Sequence, residues 1–71
     1  MDKYGKILRI ERKAHNISQD KLAKAIGVTQ AAISQYESDT CEPTISIAIK
    51  IADFYGISLD ELFHHEIKKN W

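Results

Sequence analysis

The sequence predicts an all-α domain of five short helices. Three observations support this prediction. The chain has 71 residues, a length that suits a single domain. It has only three glycines and one proline, and these separate segments rich in good helix formers. Apolar residues recur at helical spacing, and no segment of useful length alternates between apolar and polar residues as a half-buried strand would.

The first predicted helix covers about residues 3–14. Tyr4, Ile7 and Leu8 form its apolar stripe, because residues three to four positions apart lie on one face of a helix. Lysine and arginine side chains occupy its polar face. Asn16 then interrupts the helical pattern, so we expect this helix to end shortly before it.

The second and third predicted helices, at about residues 19–26 and 30–38, are separated by a short turn. Ser18 and Thr29 precede them, and a hydroxyl at that position can accept a hydrogen bond from the free amides of the first turn. Gly27 follows the second helix directly. A glycine there can adopt the left-handed conformation that ends a helix.

The fourth predicted helix runs from Thr44, its cap, to about Tyr55, and Gly56 ends it. Ser58 caps the fifth helix, whose first turn is acidic and therefore suits the positive end of the helix dipole. We expect residues 1–71 to form one domain, with its main body at about 4–63 and a tail, 64–71, that can extend the fifth helix.

Composition excludes several classes of protein. Cys41 is the single cysteine, so an internal disulfide is impossible. No apolar run approaches the roughly 20 residues of a membrane helix, and the first residues lack the pattern of a secretion signal, so we expect a cytoplasmic protein. A glycine-rich phosphate loop, a metal-ligand cluster and a nucleophile–base pair are all missing from the sequence, so we expect neither an enzyme nor a cofactor. His64 and His65 are adjacent, which is unsuitable spacing for a metal site.

The formal net charge is zero, but the charges are unevenly distributed. Residues 1–36 contain seven Lys/Arg and three Asp/Glu, and residues 37–71 contain three and seven. Such asymmetry can mark a face that binds nucleic acid, although a chance distribution explains it equally well when it is taken alone.

The strongest functional signal lies in the second and third helices. Two short helices joined by a tight turn that contains glycine form a helix-turn-helix motif. Ala23 is small where the helices would cross, and Gly27 lies four residues later, at the turn. The apolar contacts of the motif would come from Leu22, Ile26, Val28, Ile33 and Tyr36. The match is specific because separate positions each require a different property: a small side chain, a flexible backbone or an apolar side chain.

On these residues the sequence resembles the Cro/repressor-type (xenobiotic-response-element-like) helix-turn-helix family of phage and bacterial transcriptional regulators. The resemblance runs from about Tyr4 to Phe63, and its strongest segments are residues 17–23, 26–30, 33–37, 43–45 and 52–62. It implies a five-helix, λ-repressor-like fold in which the second helix abuts the DNA backbone and the third enters the major groove. It also implies a sequence-specific regulator, with repression as the expected sign.

We expect the outer face of the third helix to contact DNA bases. Since Ile33 and Tyr36 point inward, helical geometry leaves the other side to Gln30, Ala31, Ala32, Ser34 and Gln35. A glutamine amide can donate to and accept from adenine at once, and an alanine can contact a thymine methyl group. The alternative is that these are ordinary solvent-facing residues.

Five residues are candidates for phosphate contact. They lie at helix starts or in the loop after the third helix, and they are Ser18, Gln19, Thr29, Ser38 and Thr40. A helix N-terminus offers free amides to an anion. The third helix contains no Lys or Arg, and the loop carries Asp39 and Glu42, which would repel phosphate. We therefore expect binding with a shallow salt dependence.

The resemblance also implies a structural ion pair between Arg12, on the first helix, and Glu37, at the end of the third. In the family this pair fixes the angle of the recognition helix. The alternative is that Arg12 and Glu37 are two separate surface charges, which would contribute little to stability.

The fourth helix carries more apolar surface than one core needs. One stripe contains Ile45, Ala48, Ile49, Ala52 and Tyr55, and a second contains Ile47, Ile51 and Phe54. A helix that is apolar on most sides is buried on most sides. The cover could be the C-terminal segment, where apolar residues recur every four positions, or a second subunit. We predict a homodimer on a (pseudo)palindromic operator, with an interface formed by Ile47, Ile51, Phe54, Phe63, Ile67 and Trp71.

A second function class stays open at this point. The same fold could serve as a protein-interaction module, such as an antitoxin-like partner, in which DNA contact is secondary. The acidic C-terminal half and its apolar residues are compatible with that hypothesis. Cys41 lies in the loop beside the expected DNA surface but lacks the cationic neighbours that would activate a thiol.

Overall fold

The computed structural model of the protein describes residues 4–63. In that range the chain forms five helices and no strand: α1 Tyr4–Ala14, α2 Gln19–Ile26, α3 Gln30–Glu37, α4 Ile45–Tyr55 and α5 Leu59–Leu62. None of these helices is long and apolar enough to cross a membrane. The predicted all-α class is confirmed. The predicted extension of the fifth helix lies outside the described residues.

Local capping explains where the helices begin and end. The side chains of four hydroxyl residues each accept a hydrogen bond from the amide three positions later: Ser18, Thr29, Thr44 and Ser58. Each such cap contributes about 1 kcal/mol to helix stability. Gly27 and Gly56 end α2 and α4 with φ of 79° and 74°, a left-handed conformation that glycine adopts at the least steric cost.

One apolar cluster holds the helices together. Its buried members are Leu8, Leu22, Ala23, Ile26, Ile33, Ile51, Ala52 and Leu62. α2 packs against α3 and α4, α1 packs against α3, and α5 closes the cluster between α4 and α1. Ala23 is only 1% exposed, which agrees with the need for a small residue where α2 meets its neighbours.

α4 buries one face and leaves two apolar edges exposed. Ala48, Ile51 and Ala52 are buried, whereas Ile45 and Ile49 on one edge are 73% and 43% exposed and Phe54 on the other is 41% exposed. Ile51, which was predicted to lie in a dimer interface, is only 2% exposed. That prediction is wrong, because the packing of α2 and α5 on α4 places Ile51 in the core of its own chain.

The end of α1 is attached to α4 by an aromatic contact. The His15 ring stacks on the Tyr55 ring with centroids 4.3 Å apart and an interplanar angle of 29°. His15 Nδ1 also lies 3.6 Å from Glu11 Oε2. The Tyr55 hydroxyl is buried without a hydrogen-bond partner among residues 4–63, and burial raises the pKa of Tyr55 to about 12.

The start of α1 lies directly against the end of α3. The amide of Gly5 donates to Asp39 Oδ1 over 2.9 Å, so the carboxylate caps the first turn of α1. A Cβ atom built on Gly5 would lie 2.7 Å from the Tyr36 carbonyl oxygen and closer still to that of Glu37. Gly5 is therefore required by the close approach of two backbones.

We expect Gly5→Ala to lower the free energy of unfolding by about 1–3 kcal/mol, because the added methyl group forces α1 away from α3. Chemical denaturation monitored by circular dichroism measures this change. Lys6→Ala, an exposed change in the next residue of the same helix, serves as the control. Equal stability of the Gly5 and Lys6 variants would contradict the close packing of α1 on α3.

Candidate nucleic-acid interface

The outward face of α3 is polar, small and exposed. Gln30, Ala31, Ser34 and Gln35 are all exposed, whereas Ile33 is only 1% exposed and anchors the helix in the core. Ala32 is half-buried at the margin of this face. The described part of the chain therefore leaves both glutamines open to a partner. The two alanines between them have short side chains, which lets a partner approach the helix closely.

A chain of hydrogen bonds connects α1 to the exposed face of α3. Gln30 Nε2 donates to Gln19 Oε1 over 3.3 Å, and Gln19 Nε2 donates to Glu37 Oε1 over 3.1 Å. The same carboxylate accepts from Arg12. Sequence reasoning missed the links made by Gln19. A usable signal was present, since Gln19 and Gln30 each occupy the first position of a helix, and the short turn brings those two helix starts together.

The Arg12–Glu37 pair is bidentate and buried. Arg12 Nε lies 2.7 Å from Glu37 Oε2, and Nη2 lies 3.1 Å from Oε1. Arg12 Nη1 donates to the Ile17 carbonyl oxygen over 2.8 Å. The two residues are 9% and 7% exposed. The pKa of Arg12 is raised, mainly because of its hydrogen bond to Glu37. The pair thereby joins α1, the segment before α2 and the end of α3.

The candidate phosphate contacts fall into two groups. Ser18 and Thr29 are exposed N-caps whose oxygens accept from backbone amides, so each hydroxyl hydrogen remains available to a phosphate oxygen. Ser38 and Thr40 are instead paired within the loop. Their hydroxyl oxygens are 2.8 Å apart, and Ser38 Oγ also donates to the Gln35 carbonyl oxygen. A phosphate would have to compete with those bonds.

The loop after α3 is folded back on the helices. The amides of Thr40 and Cys41 both donate to the Gln35 carbonyl oxygen, over 2.9 and 3.2 Å. Asp39 has a left-handed φ of 64° and turns its carboxylate to the Gly5 amide. The sequence predicted that this carboxylate repels phosphate. In the structure it accepts a hydrogen bond at the start of α1 instead. Glu42 and Cys41 are exposed.

Comparison with known proteins identifies a family. The helix-turn-helix family model matches residues 8–62. The chain is 36% identical over 59 residues to an uncharacterized HTH-type transcriptional regulator of Methanocaldococcus jannaschii, covering 83% of this chain and 89% of that protein. It is 41% identical over 59 residues to the transcriptional regulator PuuR of Escherichia coli and 42% identical over 52 residues to the phage CTXphi repressor RstR of Vibrio cholerae. These matches cover 83% and 73% of this chain, but only 32% of PuuR and 46% of RstR.

Solved structures show the same fold. The P22 c2 repressor in complex with a synthetic operator matches with a TM-score of 0.78 and 32% identity, covering 89% of this chain and 96% of that one. The solution structure of the P22 c2 DNA-binding domain matches with a TM-score of 0.79 and 33% identity, covering 87% and 84%. The predicted repressor-type fold is confirmed by this likeness.

We expect Arg12→Ala to lower the free energy of unfolding by about 3–5 kcal/mol, because it leaves the Glu37 carboxylate buried without its cation. Thermal and urea denaturation measure the loss. The double variant Arg12→Met/Glu37→Leu should recover most of it, since an apolar pair of similar volume leaves no buried charge.

The control for this prediction is the exposed ion pair between Lys24 and Asp20, whose charged atoms are 3.3 Å apart. Lys24→Ala should leave the melting temperature nearly unchanged, because exposed pairs contribute little. If Arg12→Ala proved as mild as Lys24→Ala, the buried pair would not have the structural role that its geometry indicates.

Proposed function

The chain belongs to the helix-turn-helix family of transcriptional regulators, and on that premise we propose that it binds operator DNA sequence-specifically and represses transcription, with α3 in the major groove. The observation that carries the proposal is the exposed face of Gln30 and Gln35 on a helix held by a buried ion pair. Two of its relatives, RstR and the P22 c2 protein, are named repressors. The chain is not an enzyme, because its family and relatives are regulators.

Gln30 and Gln35 are the proposed base readers. Gln30 uses one amide hydrogen to bond Gln19, which leaves its other amide hydrogen and its carbonyl oxygen for a base edge. That pair matches the acceptor and donor of adenine in the major groove. The bond to Gln19 also orients the Gln30 side chain in advance, so less rotamer freedom is lost on binding.

The start of α2 is the proposed phosphate contact. Gln19 uses one amide hydrogen to bond Glu37, and its second amide hydrogen is free to donate. The free backbone amides at the start of the helix add to this site. In this arrangement Gln19 connects the phosphate contact to the base contact of Gln30, so docking on the backbone would also register α3 on the bases.

We further propose that the protein acts as a homodimer through an apolar groove beside the loop before α4. The groove is lined mainly by Tyr4, Pro43, Ile45, Ala48, Leu59 and Phe63. Ile45 is 73% exposed on its edge, and the rings of Tyr4 and Phe63 meet with centroids 4.8 Å apart. A twofold dimer would place two copies of α3 about 34 Å apart, on successive turns of the major groove.

This groove changes the set of proposed dimer contacts. Phe63 stays in it, and Ile45 enters it. Phe54 is 41% exposed, but it lines a separate depression with Lys50 and Gly27. Ile47 is half-buried against the chain's own core. Ile67 and Trp71, which the sequence placed in the interface, lie outside the described residues.

Selection from a random pool of duplexes should enrich one sequence class with twofold symmetry. Gln35→Ala should then bind that duplex about 1–3 kcal/mol more weakly and tolerate changes at one base position per half-site. Ser46→Ala, on the exposed face of α4, should bind as the wild type does. A pool that remains random after selection would refute the proposal and favour the protein-interaction alternative.

Ile45→Asp should shift the protein from dimer to monomer, because it places a charge in the groove without disturbing the core. Light scattering over a range of concentrations measures the change in mass, and the thermal melt should show that the domain still folds. Phe54→Asp, in the separate depression, should leave the dimer intact. Dissociation by Phe54→Asp with no effect of Ile45→Asp would assign the interface to the other edge of α4.

A further inference from the structure

The part of the surface that would face DNA, α3 and the loop after it, is poor in cations. α3 and residues 38–43 contain no Lys or Arg. Double-stranded DNA carries one phosphate charge per about 1.7 Å of its axis, and Lys and Arg contacts supply most of the sequence-independent affinity. A major-groove binder of this fold therefore needs cations from another element.

Two exposed side chains of α1 supply these cations. Arg9 and Lys13 are exposed, lie one helical turn apart, and form one side of an open cleft. Ser34 on α3 and Ser38, the residue that caps the end of α3, form the opposite side. Arg12, Gln19 and Glu37 complete the lining. The cleft therefore lies between α1 and the recognition helix, next to the proposed phosphate contact of Gln19.

Among residues 4–63, the side chains that line the cleft have an excess of positive charge. Its lining contains three cations and one carboxylate, that of Glu37. The Glu37 carboxylate already accepts hydrogen bonds from Arg12 and from the Gln19 amide. It therefore does not neutralise Arg9 or Lys13, whose charges remain available to a ligand. Within residues 4–63 neither of them forms an ion pair. The carboxylates of Glu11 and Asp39 lie close to other partners, the His15 ring and the Gly5 amide.

We propose that Arg9 and Lys13 bind a backbone phosphate of the operator in this cleft, so that α1 provides the cationic contact that α3 and its loop lack. This proposal rests on the proposed function and adds a third helix to the DNA contact. Ser34 lies both in the cleft and on the outward face of α3, so the bound phosphate would be next to the bases that α3 reads. The expected salt dependence is correspondingly steeper than the composition of α3 suggests.

The test measures affinity against salt concentration between about 50 and 200 mM, on a duplex that the wild-type protein has selected and on a scrambled duplex. The Arg9→Gln/Lys13→Gln variant is compared with Lys24→Gln/Lys50→Gln, which removes the same charge from a different depression. Thermal melts show that each variant is folded. Both variants keep Arg12, so the buried ion pair is untouched.

The cleft variant should reduce the slope of log affinity against log salt by about 0.9 for each phosphate that a protomer no longer neutralises. It should weaken binding to both duplexes by the same factor, because phosphate contacts carry no sequence information. The control variant should keep the wild-type slope. An unchanged slope in the cleft variant, or an equal reduction in the control, would overturn this assignment alone. A wild-type protein that selects no duplex would overturn the proposed function and the assignment together.

Discussion

The ion pair between Arg12 and Glu37 is the interaction on which the candidate interface depends. A buried pair is costly to desolvate, and replacement by apolar residues is often neutral for stability. Its value here is geometric, since the guanidinium satisfies three acceptors at once, two on Glu37 and the carbonyl oxygen of Ile17. The same carboxylate then accepts from Gln19, which in turn bonds Gln30. The buried ion pair thereby helps to orient the exposed side chain of Gln30 through these hydrogen bonds.

The close approach of α1 to α3 complements that pair. Gly5 permits the approach, and Asp39 uses it to cap α1. One consequence is steric, because α1 holds the C-terminal end of α3 at two points, through Gly5 near its own start and through Arg12 near its own end. The other is electrostatic, because a carboxylate near the expected DNA surface is turned toward the positive end of α1. A chain with no net charge can in this way still present a locally positive cleft, in which Arg9 and Lys13 form no ion pair with any residue between 4 and 63.

α4 shows how one sequence pattern can be consistent with two kinds of packing. Its apolar residues cover most of the helix, so the pattern alone favours both a core and an interface. Packing of α2 and α5 decides between them for each position. Ile51 goes into the core, whereas Ile45 and Ile49 remain exposed. The groove beside Ile45 is therefore a better candidate for the dimer contact than the stripe that contains Ile51.

The sequence by itself determined the five helices, their caps and the helix-turn-helix motif, because hydroxyl caps, left-handed glycines and helical periodicity act over a few residues. It also pointed to Gln30 and Gln35, since helical geometry separates them from Ile33. Only the tertiary structure decided the Gln19 links, the role of Gly5, the direction of Asp39 and the cleft beside Arg9. Each of these depends on the distance and angle between α1 and α3, which many long-range contacts set jointly and no local pattern encodes.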